Sequence, residues 1–316
     1  MTPVVRMALG RLVLAIPMLF VVATATFFLQ QLVPGDPGSF ILGNEASPAE
    51  IRQFDAGLGL NKPVLERYGS WLGRAIRGNL GMSWTSHSPV TQTLLAAAPI
   101  TLSLTVLAIV VIGCLGVPLG TLAALHGGPV DRFFQAFAGL AIALPNFWLG
   151  VGLVLLLAVD ARLFPATGYT SLSDPAQWLH ALVLPVLALA FGMTMTLALQ
   201  VRSAMIDVLA RDYIRSLRAA GLSWRSVLFK HALRNCMAPV VTTIGFQLLG
   251  LLAGAVVIEQ LFNLPGLGSV LLTGVTEHDV PLVQGAVLLF AVFVVAVNLL
   301  TDVAAAALNP RARGRR

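Results

Sequence analysis

RDYIRSLRAAGLSWRSVLFKHALRN, Arg211 to Asn235, carries six basic residues (Arg211, Arg215, Arg218, Arg225, Lys230 and Arg234) in a chain otherwise built of long uncharged runs. A charged segment containing a turn, set between apolar stretches, must lie in water. Gly221 divides it. Arg211 to Ala220 reads as one short helix, and Gly221 fits the left-handed position that closes a helix at little steric cost. Ser223 is placed to cap a second helix running to about Asn235. On that helix Trp224, Val227, Leu228, His231 and Ala232 follow steps of three and four, whereas Arg225, Lys230 and Arg234 fall elsewhere. Leu217, Ala219 and Ala220 give the turn small, apolar contact atoms. A short amphipathic helix beside a tight turn suits docking in another protein's groove. A loop that was only positively charged would need the cations but not the helix–Gly–Ser–helix order.

The rest of the chain sets the class. Charged residues make up 11% of the 316 and apolar ones 57%, and mean hydropathy is +0.85, which excludes a soluble globular chain. No charged residue falls in Leu12 to Gly35, Gly78 to Val130, Phe133 to Val159, Pro175 to Val201, Asn235 to Ile258 or Val280 to Thr301. Each run has at least the roughly 20 residues an α-helix needs to cross ~30 Å of hydrocarbon. Six transmembrane helices are therefore expected. Residues 1–33 form the first, 34–93 an extracytoplasmic helical insert, and 94–308 a core with spans at about 100–125, 133–159, 178–201, 238–258 and 282–307. The charged segment, 202–235, lies within that core, and 309–316 is a basic tail.

Lys and Arg orient the chain. With both termini in the cytosol, that side holds Arg6, Arg11, Arg132, Arg202, the six cations above, Arg311, Arg313, Arg315 and Arg316. The other side keeps Arg52, Lys62, Arg67, Arg74, Arg77 and Arg162, mostly in one long loop where the rule weakens. The basic pI of about 10.1 thus reflects topology, not nucleic-acid binding. Gln30-Gln31-Leu32-Val33-Pro34 offers no small-x-small cleavage site, so the first run reads as an uncleaved span. Cys114 falls inside a span and Cys236 at a helix end, which implies no disulfide framework.

Local signals place the remaining elements. LVPGDPG (Leu32 to Gly38) stops the first helix. Ser47-Pro48-Ala49-Glu50 has the form of a capping box, opening a helix to about Ala56 before the Gly57-Leu58-Gly59 turn. Pro63 to Ile76 reads as a helix with Val64, Leu65, Tyr68, Trp71, Leu72, Ala75 and Ile76 on one stripe, laid against the membrane surface or a partner. Ser88-Pro89 starts the helix of the second span. Gly116 with Gly120, and Gly250 with Gly254, either bring helix backbones close or are ordinary membrane-helix glycines. Pro118, Pro145 and Pro185 read as tolerated kinks.

Catalytic and metal chemistry find no foothold. The only lysines, Lys62 and Lys230, follow Asn61 and Phe229, so GxxxxGK[ST] cannot be written. His87, His126, His180, His231 and His278 stand without metal-ligand spacing; His278, between Glu277 and Asp279, reads as part of a solvated outer loop. No nucleophile grouping emerges. Asn146, Thr194, Gln200, Thr243, Gln247 and Asn298 are the candidates for lining a translocation path, with helix-to-helix hydrogen bonding as the alternative. A secondary carrier would usually show ionisable groups inside the spans. A membrane-embedded enzyme would need a catalytic cluster.

The charged segment resembles the coupling motif of binding-protein-dependent ABC importer permeases, in the form found in the dipeptide, oligopeptide and nickel branch. The general pattern opens Glu-Ala-Ala, with glycine four residues after the second alanine. Here Arg215, Ser216 and Leu217 stand in those places and Gly221 keeps the glycine. That departure is usual for the peptide branch, and it leaves open which side chain makes the main polar contact. RLVLAIPMLFVVATATFFLQQLVPGDPG (Arg11 to Gly38) resembles the branch's first span and turn. LGLNKPVLERYGSWLGRAIRGNLGMSW (Leu58 to Trp84) resembles its external helix, and FNLPGLGSVLLTGVTEHDVPLVQG (Phe262 to Gly285) its last outer loop.

The resemblance implies an all-α membrane protein with a type I importer core. It implies ATPase coupling through Arg215, Ser216, Leu217, Ala219, Ala220, Gly221, Leu222, Ser223 and Trp224. Its partners would be a second homologous permease, two cytosolic ABC ATPase subunits holding Mg-ATP, an extracytoplasmic substrate-binding protein and the lipid bilayer of a bacterial inner membrane. The chain itself would hold no cofactor or metal and catalyse nothing. Peptide cargo is the first expectation, with nickel chelates, glutathione or haem-type solutes as alternatives on the same permease.

Overall fold

A computed structural model of the chain describes residues 3–32, 37–43, 46–170 and 173–308. Part of the LVPGDPG turn, residues 171–172, and the basic tail with Arg311, Arg313, Arg315 and Arg316 lie outside them. In order the helices are α1 (Pro3–Gln30), α2 (Pro37–Leu42), α3 (Pro48–Gly57), α4 (Val64–Ile76), α5 (Val90–Leu125), α6 (Pro129–Ala143), α7 (Asn146–Leu153), α8 (Pro175–Leu209), α9 (Asp212–Ala219), α10 (Trp224–Ser226), α11 (Leu233–Leu261), α12 (Leu267–Thr276) and α13 (Val280–Leu308). Two π-helical stretches, Val154–Asp160 and Val227–Ala232, extend α7 and join α10 to α11. Among the described residues five helices are long and apolar enough to cross a membrane, and α6 with α7 and its π-helical extension forms a bent apolar pair that brings the number to six when counted as one span. The chain divides into two compact units, one built on residues 102–264 and one on 9–101 with 265–296.

In the first unit α8 is the central element. Asp174 caps it by accepting from the Gln177 N–H at 3.1 Å, with Pro175 at the first helical position. Leu182, Ala188, Leu189, Ala190, Leu197, Ala198 and Val201 are buried along it. Gly116 and Gly120 bring α5 against one side: a Cβ on Gly116 would sit 3.1 Å from the Thr194 carbonyl oxygen, and one on Gly120 would collide with the Ala198 carbonyl. Gly250 and Gly254 do the same for α11, where added Cβ atoms would meet Met193 and Leu189 at 3.0 Å. Both glycine pairs are therefore packing devices, and both serve α8. Asp131 of α6 receives Nε and Nη2 of Arg202 on α8.

Two expectations are corrected in this unit. The span expected at 133–159 is two helices meeting at 95°. Pro145 has no N–H to give and drives Leu144 out of helical geometry (ψ 125°), so the chain turns sharply where a kink tolerated within one span was expected. The second charged-segment helix does not end near Asn235. It runs through the π-helical stretch, where the Leu233 N–H reaches the Leu228 carbonyl five residues back, and continues as α11.

The second unit holds α2, α3, α4 and α12. Ser47 and Glu50 form the capping box of α3 in both directions, with Pro48 just inside. On α4, Tyr68, Trp71, Leu72 and Ala75 pack against Ala23 and Phe27 of α1 and Leu288 of α13. The α4 stripe thus packs on the chain's own first helix, while Leu65 and Ile76 at its edges stay 75% and 78% exposed. A second core gathers Val90, Leu94, Ala97 and Ala98 of α5 with Leu267, Leu282 and Ala286.

The solvated outer loop expected around His278 is also corrected. Asp279 is fully buried. Its Oδ2 accepts from the Ser83 hydroxyl and from the Trp84 and Thr85 N–H groups at 3.1 and 3.4 Å, and its Oδ1 from the Leu282 N–H at 3.2 Å. The Thr85 hydroxyl lies between Glu277 Oε2 (2.9 Å) and Asp279 Oδ2 (3.1 Å). The His278 ring stacks on Phe40 with centroids 3.8 Å apart. Desolvating a carboxylate is tolerable here because the Ser83 hydroxyl and three backbone N–H groups donate to its two oxygens.

Candidate functional site

Gly221 is the pivot of the charged segment. Its φ of +82° closes α9 in a Schellman pattern: the Gly221 N–H reaches the Arg218 carbonyl at 3.0 Å and the Leu222 N–H reaches the Leu217 carbonyl at 3.2 Å. Two residues later Ser223, in extended geometry, accepts from the Ser226 N–H at 3.4 Å and starts α10. The Arg218 guanidinium lies 5.1 Å from the Trp224 ring centroid, bridging the turn by a cation–π contact. The Asn235 amide donates to the Tyr213 hydroxyl at 2.9 Å, tying α9 to α11.

Beneath the turn is a core of Ile214, Val227, Leu228, Ala232 and Cys236 with Met205 and Val208 of α8, flanked by Leu217 and Leu222. The turn therefore rests on a packed base instead of hanging as a loop. Of the nine residues expected to couple, Leu217 and Leu222 are half-buried on this core, and Arg215, Ser216, Ala219, Ala220, Gly221, Ser223 and Trp224 are exposed. All six cations of the segment are exposed as well. Among the described residues Arg215 pairs with Asp212 alone, at 3.6 Å, and both side chains are at least 80% exposed, so its charge stays available. A Cβ on Gly221 would meet nothing within 4 Å; what reserves the position for glycine is its φ, not space. The stripe read from sequence is only partly inward: Val227, Leu228 and Ala232 are buried, His231 is half-buried, and Trp224 is 40% exposed. Phe229, which periodicity did not single out, is 60% exposed.

The polar span residues divide among several surroundings. Asn146, just after the Pro145 break, lies beside Gly192 of α8 and Gly254 of α11, whose added Cβ atoms would sit 3.9 and 3.6 Å from its amide. Gln247 on α11 donates to the Met193 carbonyl at 3.0 Å, and its Oε1 is closed off without a donor among the described residues. These two share the α8–α11 seam. Thr194 is buried and gives its hydroxyl to the Ala190 carbonyl at 2.8 Å. Gln200 and Asn298 are exposed, and Thr243 is half-buried on α11.

Residues 116–314 match the family described as binding-protein-dependent transport system inner membrane component, and residues 4–105 match the N-terminal membrane component of the same systems. The chain belongs to this family. It is a multi-pass inner-membrane permease of an ABC importer, with the type I importer fold. The permease is 38% identical over 307 residues to a putative peptide transport system permease of Brucella abortus (strain 2308), covering 96% of this chain and 98% of the relative. It is 37% identical to the dipeptide transport system permease DppB of Escherichia coli (strain K12), covering 98% of each chain. With the oligopeptide transport system permease AppB of Bacillus subtilis (strain 168) it shares 35% identity over 95% of this chain and 97% of the relative. Its fold is similar to a chain in the inward facing conformations of the MetNI methionine ABC transporter, with a TM-score of 0.55, 18% identity, and coverage of 69% and 97%.

Proposed function

We propose that this permease imports short peptides and is driven by partner ATPases through the Gly221 turn. The cargo reading is supported by relatives named for peptide, dipeptide and oligopeptide transport, alike over almost the whole chain. The coupling reading rests on one observation above all: a glycine-closed, serine-capped helix pair seated on its own core, with small atoms and cations outward.

In this reading residues 94–308 are the core, 34–93 face outward, and both termini and the Gly221 turn lie in the cytosol. A second, homologous permease supplies the other half of the path. An extracytoplasmic binding protein delivers the solute, and two ATPases hold Mg-ATP. Each ATPase takes a turn such as Arg215 to Trp224 into a groove, and its closure moves the turn with the core beneath it. The displacement passes to α8, which Arg202 joins to α6 and two glycine pairs join to α5 and α11. Asn146 and Gln247 at the α8–α11 seam, and Gln200, Thr243 and Asn298 elsewhere on the spans, are the polar groups offered to a passing solute, while buried Thr194 serves packing. This chain performs no covalent chemistry.

The test is the complete complex in proteoliposomes with its binding protein. Dialanine is expected to stimulate ATP hydrolysis and to be taken up. Stimulation by a nickel chelate, glutathione or haem but by no peptide overturns the cargo reading.

A further inference from the structure

Tyr68 of α4 and Thr24 of α1 join hydroxyl to hydroxyl at 2.6 Å, and that bond fixes how deep α4 reaches. Thr24 lies six residues before Gln30, roughly 9 Å back along a helix long and apolar enough to cross a membrane. The Trp71 ring packs on Phe27 with centroids 5.6 Å apart, and Leu288, eight residues into α13, joins the same core. Arg67, one turn earlier on α4, reaches Gln31 just past the end of α1 at 3.2 Å. The charge-free run of α1 opens at Leu12, so ~30 Å of hydrocarbon extends to about Gln31. The packed face of α4 therefore reaches below the boundary of a leaflet. It does not stand above it in water.

The other faces of α4 fit that level. Leu65 and Ile76 stand three turns apart on one side of the helix and are mostly exposed. Leu29 and Leu32, close to the Gln31 that holds Arg67, are 61% and 76% exposed. Apolar surface thus runs on from the span where α4 meets it. Arg74 and Arg77, at the C-terminal end of α4, are exposed, and neither side chain has an ion pair or hydrogen bond among the described residues. Lys62, at the other end, pairs with Glu66 at 3.1 Å. An arginine can lay its stem along apolar surface and carry its charge to the phosphate level.

We propose that α4 is an interfacial helix, with Leu65 and Ile76 among acyl chains and Arg74 and Arg77 on the phosphates of anionic lipids. The leaflet is the one at the C-terminal end of α1, whichever side of the membrane it faces. The inference therefore stands apart from the orientation of the chain and from its cargo. It makes the insert between α1 and α5 a bilayer anchor, in place of a surface offered to a soluble partner.

The experiment uses the full chain in nanodiscs of phosphatidylcholine and phosphatidylglycerol. In a Cys114→Ser, Cys236→Ala background, bimane is attached at Ile76→Cys and, as the lipid reference, at Val21→Cys on the exposed side of α1. The bimane adduct of glutathione is the water reference. Bimane at Ile76 is expected to be quenched by brominated acyl chains and shielded from iodide, as at Val21. Arg74→Gln and Arg77→Gln are each expected to weaken phosphatidylglycerol binding, measured by native mass spectrometry, by about fivefold, and lysine at either position to keep most of it. Iodide quenching at Ile76 as efficient as in the glutathione adduct would place α4 in water or under a soluble partner and overturn the proposal. Unchanged phosphatidylglycerol binding in a folded chain carrying both Arg74→Gln and Arg77→Gln would overturn it as well.

Discussion

Arg202 on α8 grips Asp131 on α6 through Nε and Nη2, a forked pair whose side chains are only 17% and 15% exposed. Fork geometry of this kind fixes orientation as well as charge, and lysine cannot reproduce it. Gln135 also donates to the same carboxylate at 2.9 Å, so the acid is held from two helices.

Separating the pair leaves one charge without its partner. Asp131→Arg and Arg202→Asp are each expected to lower the unfolding midpoint in detergent by several degrees, and the double reversal to recover most of the loss. Additive losses in the double variant would show that the pair does not couple the two helices.

Asp279 is the corresponding latch of the second unit. Asp279→Ala leaves the Ser83 hydroxyl and the Trp84 N–H without their acceptor, and each donor left buried and unpaired costs about 1–3 kcal/mol. Limited proteolysis is expected to cut between Trp84 and Ser88 much faster in the variant. Equal cleavage rates would show that the carboxylate does not hold this loop.

Cys236, 1% exposed in the core under the Gly221 turn, reports on that core. Burial pushes its thiol pKa above the ordinary range, so less thiolate is present at any given pH. In a Cys114→Ser background, N-ethylmaleimide is expected to modify Cys236 slowly near neutrality, with a rate still climbing at pH values where an ordinary thiol has levelled off. Fast labelling near neutrality would mean that the base of the turn is open.

What the sequence disclosed was local. The Ser47–Glu50 box and the Gly221–Ser223 turn are written within a few residues, and the structure builds both as read. The glycine pairs were legible as candidates, but only the position of α8 showed what they approach. Relations across the chain were not legible at all. Ser83 and Asp279 are 196 residues apart and Arg202 and Asp131 are 71 apart, so no periodicity joins them. Pro145 announced a break without announcing its angle, because proline excludes helix for Leu144 but leaves the new direction to packing. The π-helical stretch after Ser226 had no residue signature, and it hid the continuity of the charged segment with α11.

The central claim is that the turn at Gly221 receives the work of a partner ATPase. Its φ of +82° and its exposed position single out Gly221→Asp, which strains the backbone and sets an anion among cations without touching the buried core. The decisive measurement is ATP hydrolysis by the assembled complex, with and without binding protein and peptide. The variant chain is expected to insert normally while stimulated hydrolysis falls to the unstimulated rate. Full stimulation in the Gly221→Asp complex would contradict the account.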